Sequence, residues 1–219
     1  MGVHAFPLLL VAGFCSIAMN TELYQRFKQL KSRGSKSDAT EAMRQLIRSL
    51  QSFDAKKAFT DWFFTNEFDG TKVRHELYES ILFPVLLEGY RHADPLSIKR
   101  LAETDQNLYA AKMLWAQLKN KSKSDLLHEY LELCPDDLSA RHHLLETEIH
   151  YFRYCEHEWP AGILYGHNGA TMAECDEILQ VVNAVRKLDL EERYTVYIDE
   201  FTRKVQSYRE RLAKAKGSS

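Results

Sequence analysis

Residues 190–214 read LEERYTVYIDEFTRKVQSYRERLAK, and within them Tyr194, Tyr197, Phe201, Val205, Tyr208 and Leu212 follow one another at intervals of three, four, four, three and four. That is the repeat of one face of an α-helix, which turns once in ~3.6 residues. Charged residues fill the positions between. Glu191 and Glu192 stand at the start and lysines at the end, the arrangement that the helix dipole favours. The spacing predicts a helix over 190–214 with Phe201 in the middle of its buried face.

The same period recurs through the rest of the chain, with hardly any strand-like alternation. Leu23, Phe27 and Leu30 form a stripe that Gly34 closes, as a left-handed residue after a helix would. Asp38 and Glu41 make a capping-box pair ahead of Met43, Leu46, Ile47 and Leu50. Phe59, Trp62 and Phe63 carry a third helix, ended by Asp69 and Gly70. Residues 72–88 hold Val73, Leu77, Ile81 and Leu82 at helical spacing and then meet Pro84. Proline lacks the backbone donor and crowds the preceding turn, so a kink or break is expected there. The density of that apolar run places it near the centre of the fold.

Asp94-Pro95 caps a short helix through Leu101. Further helices are predicted over Leu108 to Leu118, from Ser124 to the Cys134-Pro135-Asp136-Asp137 stop, and from Leu138 to Glu158 before Trp159-Pro160. Thr171 and Glu174 form another capping box, leading into Cys175, Ile178, Leu179, Val182 and Val185. The chain reads as all-α. It has about nine to ten helices in antiparallel hairpins, forming a compact helical bundle or a short α-solenoid.

At 219 residues, 45% hydrophobic and 27% charged, there is enough apolar surface to build a core. Residues 19–216 are expected as a single all-α domain with 217–219 as a flexible tail. A formal net charge of −2 provides no global attraction to nucleic acid or anionic lipid. The most basic stretch, with Arg26, Lys28, Lys31, Arg33, Lys36, Arg44 and Arg48, also holds Asp38 and Glu41. No aromatic residues interleave with its charges as a single-strand binding surface requires, so no nucleic-acid partner is predicted.

Residues 1–18 form an apolar N-terminal extension, shorter than the roughly twenty residues of a spanning helix. Three readings are open for it. One is an upstream start ahead of Met19, with Asn20-Thr21-Glu22 capping the first helix. The second is a secretory signal with Ser16-Ile17-Ala18 as a small-x-small cleavage site, although it lacks a positive leading segment. The third is a buried N-terminal segment. Cys15, Cys134, Cys155 and Cys175 contain no CxxC pair and sit among apolar positions, which favours free thiols in a reducing compartment. A cytoplasmic location is expected, or a secreted or periplasmic one if residues 1–18 are a signal.

Within 107–140, Leu108, Ala111, Leu114 and Trp115 precede Leu127 and Tyr130, and Leu133-Cys134-Pro135-Asp136-Asp137 follows. This stretch resembles one tetratricopeptide unit with its Pro-Asp link. It lacks the Gly-Tyr pair that closes the first helix in that family, and no second copy follows at the ~34-residue period. The resemblance implies a helical hairpin that binds other proteins.

The residues richest in chemistry lie at 141–171. His143, Glu146, His150, Tyr154 and His157 fall on one stripe of the predicted helix, yet His143 and His150 are two turns apart, about 10 Å, too far to share an ion unaided. A solvated or interface face is the preferred reading, with these residues as the minor candidates for a metal. The loop 161–170, AGILYGHNGA, is the longest connection. Its glycines permit positive φ, and it delivers the chain to a helix N-terminus whose free N–H groups suit an anion. Gly166, His167, Asn168, Gly169 and Thr171 are therefore the ligand-binding candidates, with His167 as a donor or base. No catalytic signature and no cofactor loop is recognisable. The function expected is that of an adaptor binding another protein, with Tyr151, Tyr154 and Trp159 as partner anchors. The alternative is a helical metal- or small-anion-binding protein that uses the histidine stripe or the glycine loop.

Overall fold

In the computed structural model, which describes the backbone of residues 9–217 and the side chains of 20–215, the helical stripes sort into two compact units divided between Ser122 and Lys123. Nothing in composition marks a boundary there inside 19–216. The class is all-α, as expected, apart from one two-stranded hairpin.

The first unit opens with α1 (Leu9–Ser32), α2 (Lys36–Ser49) and α3 (Phe53–Asn66), and α1 packs against both of the others. Gly34 turns the chain between α1 and α2 at φ +78°, the left-handed conformation expected of it. The N-cap of α2 lies three residues before the expected capping box. Ser35 is its N-cap residue and its hydroxyl donates to Asp38, which lies inside the first turn. Nor is α1 capped at Asn20. Its backbone is already helical from Leu9, and Asn20 is buried, accepting a hydrogen bond from the Ser49 hydroxyl at 2.6 Å. The three readings of residues 1–18 otherwise fall outside the described side chains.

The run around Pro84 does not break. α4 (His75–Leu77), a π turn (Tyr78–Leu82) and α5 (Phe83–Arg91) follow without interruption. Widening the helix by one residue per turn before Pro84 makes room for its ring, and Phe83 N–H reaches back to the Tyr78 carbonyl. Tyr78, Ile81, Leu82 and Leu86 are fully buried, which puts this segment in the core as expected.

α6 (Pro95–Glu103) is capped by Asp94, whose carboxylate accepts from Ser97 N–H at 3.0 Å. The expected helix over 108–118 is two short ones, α7 (Asp105–Ala110) and α8 (Lys112–Gln117), separated by non-helical φ/ψ at Ala111. Asn107 explains part of this. Its side-chain amide is buried and exchanges hydrogen bonds with the backbone N–H and C=O of Val73, which holds α7 against the loop before α4. Residues 107–140, the stretch that resembles a tetratricopeptide unit, thus carry their first apolar stripe on two short helices, and their second lies in the other unit.

The second unit comprises α9 (Lys123–Leu133), α10 (Leu138–Cys155), β1 (Leu164–Tyr165), β2 (Asn168–Gly169), α11 (Met172–Leu188) and α12 (Thr195–Gly217). Its core is Ile149, Phe152, Cys155, Ile163, Cys175, Ile178, Val182, Ile198, Phe201 and Val205, drawn from α10 to α12 and the loop. α10 ends at Cys155 rather than Glu158, and α12 starts at Thr195 rather than Leu190. Asp189 is the reason for the second difference, because its carboxylate accepts from the N–H groups of Arg193 and Tyr194 and holds 190–194 in a turn. Glu191 and Glu192 therefore sit outside α12. Its backbone is helical to Gly217, inside the expected tail, and residues 218–219 are outside the described set.

Candidate functional site

The glycine loop is a hairpin built into the second unit. β1 pairs antiparallel with β2 in the register Leu164 to Gly169 and Tyr165 to Asn168. Gly166 and His167 form the turn, Gly166 at φ +59°, as the first central residue of a tight hairpin turn demands. Gly162 and Gly169 serve a different purpose. A Cβ on Gly169 would stand 3.1 Å from the Tyr208 hydroxyl, and one on Gly162 3.4 Å from its ring, so both glycines let the loop close onto α12. Tyr154 donates to the Gly166 carbonyl at 2.5 Å.

At the start of α11 the capping box is complete. Thr171 Oγ1 accepts from Glu174 N–H, and the Glu174 carboxylate accepts from Thr171 N–H at 2.7 Å. That bond to Thr171 holds the Glu174 carboxyl below its usual pKa. A carboxylate of the chain thus already occupies the position where an anion would be received.

The anchors proposed from sequence are partly used internally. Tyr151 and Trp159 pack on the core of the second unit, and the Arg211 guanidinium lies 5.2 Å over the Trp159 ring. Tyr154 is the most open of the three, at 44% exposure. On α10, His143 and His150 are exposed, and His157 lies beyond the helix end beside Glu158. Glu146 is engaged by the Tyr194 hydroxyl at 2.6 Å, Arg193 at 3.7 Å and His142 at 3.5 Å. The tyrosine bond, more than the nearby cations, holds its carboxyl below the usual glutamate value. Among the described residues, no three His, Cys, Asp or Glu side chains gather as a metal site would require. Cys134, Cys155 and Cys175 are free thiols.

A concave feature with an aromatic floor lies in the first unit, where sequence reading placed nothing. A groove of about 420 Å³ runs between α1, the end of α3 and residues 68–74. Tyr24 packs edge-on against Phe63 and Trp62, with ring centroids 5.6 and 5.8 Å away, and Phe27, Phe63 and Phe68 continue the floor. Burial pushes the Tyr24 hydroxyl pKa up to about 12, and Glu67 and Asp69 add to the shift, so this group stays protonated.

Four cations rim the groove: Lys28, Lys31, Lys72 and Arg74. Lys28 is paired with Glu67 at 2.6 Å. Arg74 meets Glu76 through two nitrogens, at 3.0 and 3.1 Å, and lies 5.4 Å over Phe27. Lys31 and Lys72 are exposed, and among the described residues they make no ion pair. The signal for this site in the sequence is FTDWFFTNEF at 59–68, which has more aromatic residues than one buried stripe uses. Phe64 and Phe68 pack beside that stripe with their rings tilted by 57° and centroids 5.0 Å apart, and Phe68 lines the groove.

Compared with protein-family models, curated proteins and solved structures, the chain matches none. Among the described residues, no helix is long and apolar enough to cross a membrane.

Proposed function

We propose that this chain is a protein-interaction module, and that a partner docks in the groove between α1 and α3 of its first unit. The observation that supports this best is the groove itself, about 420 Å³ of aromatic-floored cleft with Lys31 and Lys72 uncommitted at its rim. Binding sites are concave and mostly apolar with a few polar groups that set orientation, and aromatic anchors dominate protein interfaces. The glycine loop and the α10 stripe support the reading less well, because their groups are largely satisfied within the second unit. The free state of Cys134, Cys155 and Cys175 accords with a reducing, cytoplasmic setting for such a module.

The test is affinity capture from native lysate with three baits: the wild type, the Lys31→Glu/Lys72→Glu variant, and Tyr154→Ala. One protein retained by the wild type and by Tyr154→Ala but depleted at least about tenfold by the double variant supports groove docking. Retention by the double variant with loss at Tyr154→Ala moves the docking site to the second unit.

A further inference from the structure

We infer that the occupant of the groove is a protein segment carrying a bulky apolar side chain beside carboxylates, an inference that rests on the docking site proposed above. The groove is graded along α1. Tyr24, Phe27 and Lys31 follow at intervals of three and four residues, so one wall passes from aromatic to cationic within two turns.

At the Tyr24 end the acidic groups are already used. Glu67 accepts from Lys28 and Gln25, each at 2.6 Å, and Asp69 accepts from the backbone N–H and hydroxyl of Thr71. At the middle, the Arg74 guanidinium covers Phe27 and is matched by Glu76. What remains uncompensated is positive and belongs to Lys31 and Lys72. A complementary ligand sets an aromatic or large aliphatic side chain against Tyr24 and Phe68, the half-buried rings of the groove, and places carboxylates toward those two lysines. The anchor supplies most of the affinity, and the exposed charge contacts set register and speed of encounter.

A free inorganic anion fits the same place poorly. Lys31 is in the last turn of α1, which ends at Ser32, and the carbonyl end of a helix carries partial negative charge. The anion therefore has to be carried in by something that also fills the aromatic floor. A nucleic-acid backbone fits no better, since Glu67 and Asp69 also line the cleft and the chain has a net charge of −2.

The experiment uses the full chain and short fluorescein-labelled peptides. One has phenylalanine flanked by aspartates, the second has lysines for the aspartates, and the third has alanine for the phenylalanine. Anisotropy measures affinity, and amide chemical shifts locate binding. The acidic aromatic peptide is expected to shift Tyr24, Lys31 and Lys72, with the other two peptides weaker by at least about tenfold. Lys31→Glu/Lys72→Glu should lower affinity for the first peptide and raise it for the second, with an unchanged circular dichroism spectrum. Millimolar inorganic phosphate should not displace the peptide.

Equal binding of the lysine peptide at the same amides overturns the carboxylate requirement and leaves groove docking standing. Displacement by phosphate makes the site one for small anions and overturns the inference. Failure of every peptide to shift groove amides also overturns it, and the capture experiment then decides separately whether a partner uses the groove.

Discussion

The rings of Phe152 on α10 and Phe201 on α12 lie face to face, with centroids 4.5 Å apart and planes inclined by 16°. Both are fully buried, and Tyr197 extends the stack from Phe201 at 6.4 Å. The pair joins the two longest helices of the second unit at the place where the α12 stripe puts its central residue.

Phe201→Ala should therefore cost roughly 3–5 kcal/mol, the transfer term of a large aromatic ring plus the cavity left behind it. Arg203→Ala, two positions away on the exposed side of the same helix, should cost under about 0.5 kcal/mol. Urea denaturation of both variants checks the phase of α12, and equal losses would show it to be wrong.

At Gly89, α5 packs tightly against α6. A Cβ built there would lie 2.0 Å from Ser97 Oγ and 2.6 Å from Ser97 Cβ, so Gly89→Ala has to push the helices apart. We expect a loss of about 1–3 kcal/mol, as for overpacking elsewhere. Adding Ser97→Gly should give less than the sum of the two single losses, because it removes the atoms in collision. A strictly additive double mutant would show that the helices are not in contact at this point.

At the hairpin, Thr171→Ala should destabilise by roughly 1 kcal/mol through loss of the cap, while His167→Ala, at the exposed turn, should stay within about 0.5 kcal/mol. Thermal melts with and without phosphate distinguish a structural loop from a ligand site. A phosphate-dependent rise in melting temperature that disappears in His167→Ala would restore the loop as a binding site.

Glu146 provides a pH dependence of known sign. Its carboxyl is held below the ordinary value of 4.5, first by the Tyr194 hydroxyl and then, against the cost of burial, by Arg193 and His142. A carboxyl whose folded pKa is depressed contributes stability that is complete above its unfolded value and is lost as pH falls through the folded one. The stability difference between wild type and Glu146→Gln should thus be greatest near neutrality and shrink as pH falls below about 4.5. Tyr194→Phe should reduce the same difference. A gap that stays constant down to strongly acidic pH would show that Glu146 acts by packing alone.

The class of this fold and most of its punctuation were legible in the order of residues alone. Side-chain periodicity, glycine at positive φ and caps that bond three residues ahead are local physics, and they placed the all-α class, the turn at Gly34, the Asp94-Pro95 start and the Thr171-Glu174 box. Tertiary contacts decided what local rules leave open. A π turn absorbed Pro84, because surrounding core residues repay the cost of widening a helix that an isolated peptide would break. The Asn107 bonds to Val73 go with a division of the expected 108–118 helix into two, and Asp189 delayed the last helix to Thr195. The glycine loop looked like an anion cradle in sequence, but the Ile163 carbonyl takes the Ala170 N–H and the Glu174 carboxylate takes that of Thr171. The groove was the least legible feature. Tyr24, Phe68, Lys31 and Lys72 come from separated segments, and only packing decides which aromatic rings are covered and which lysines find a carboxylate.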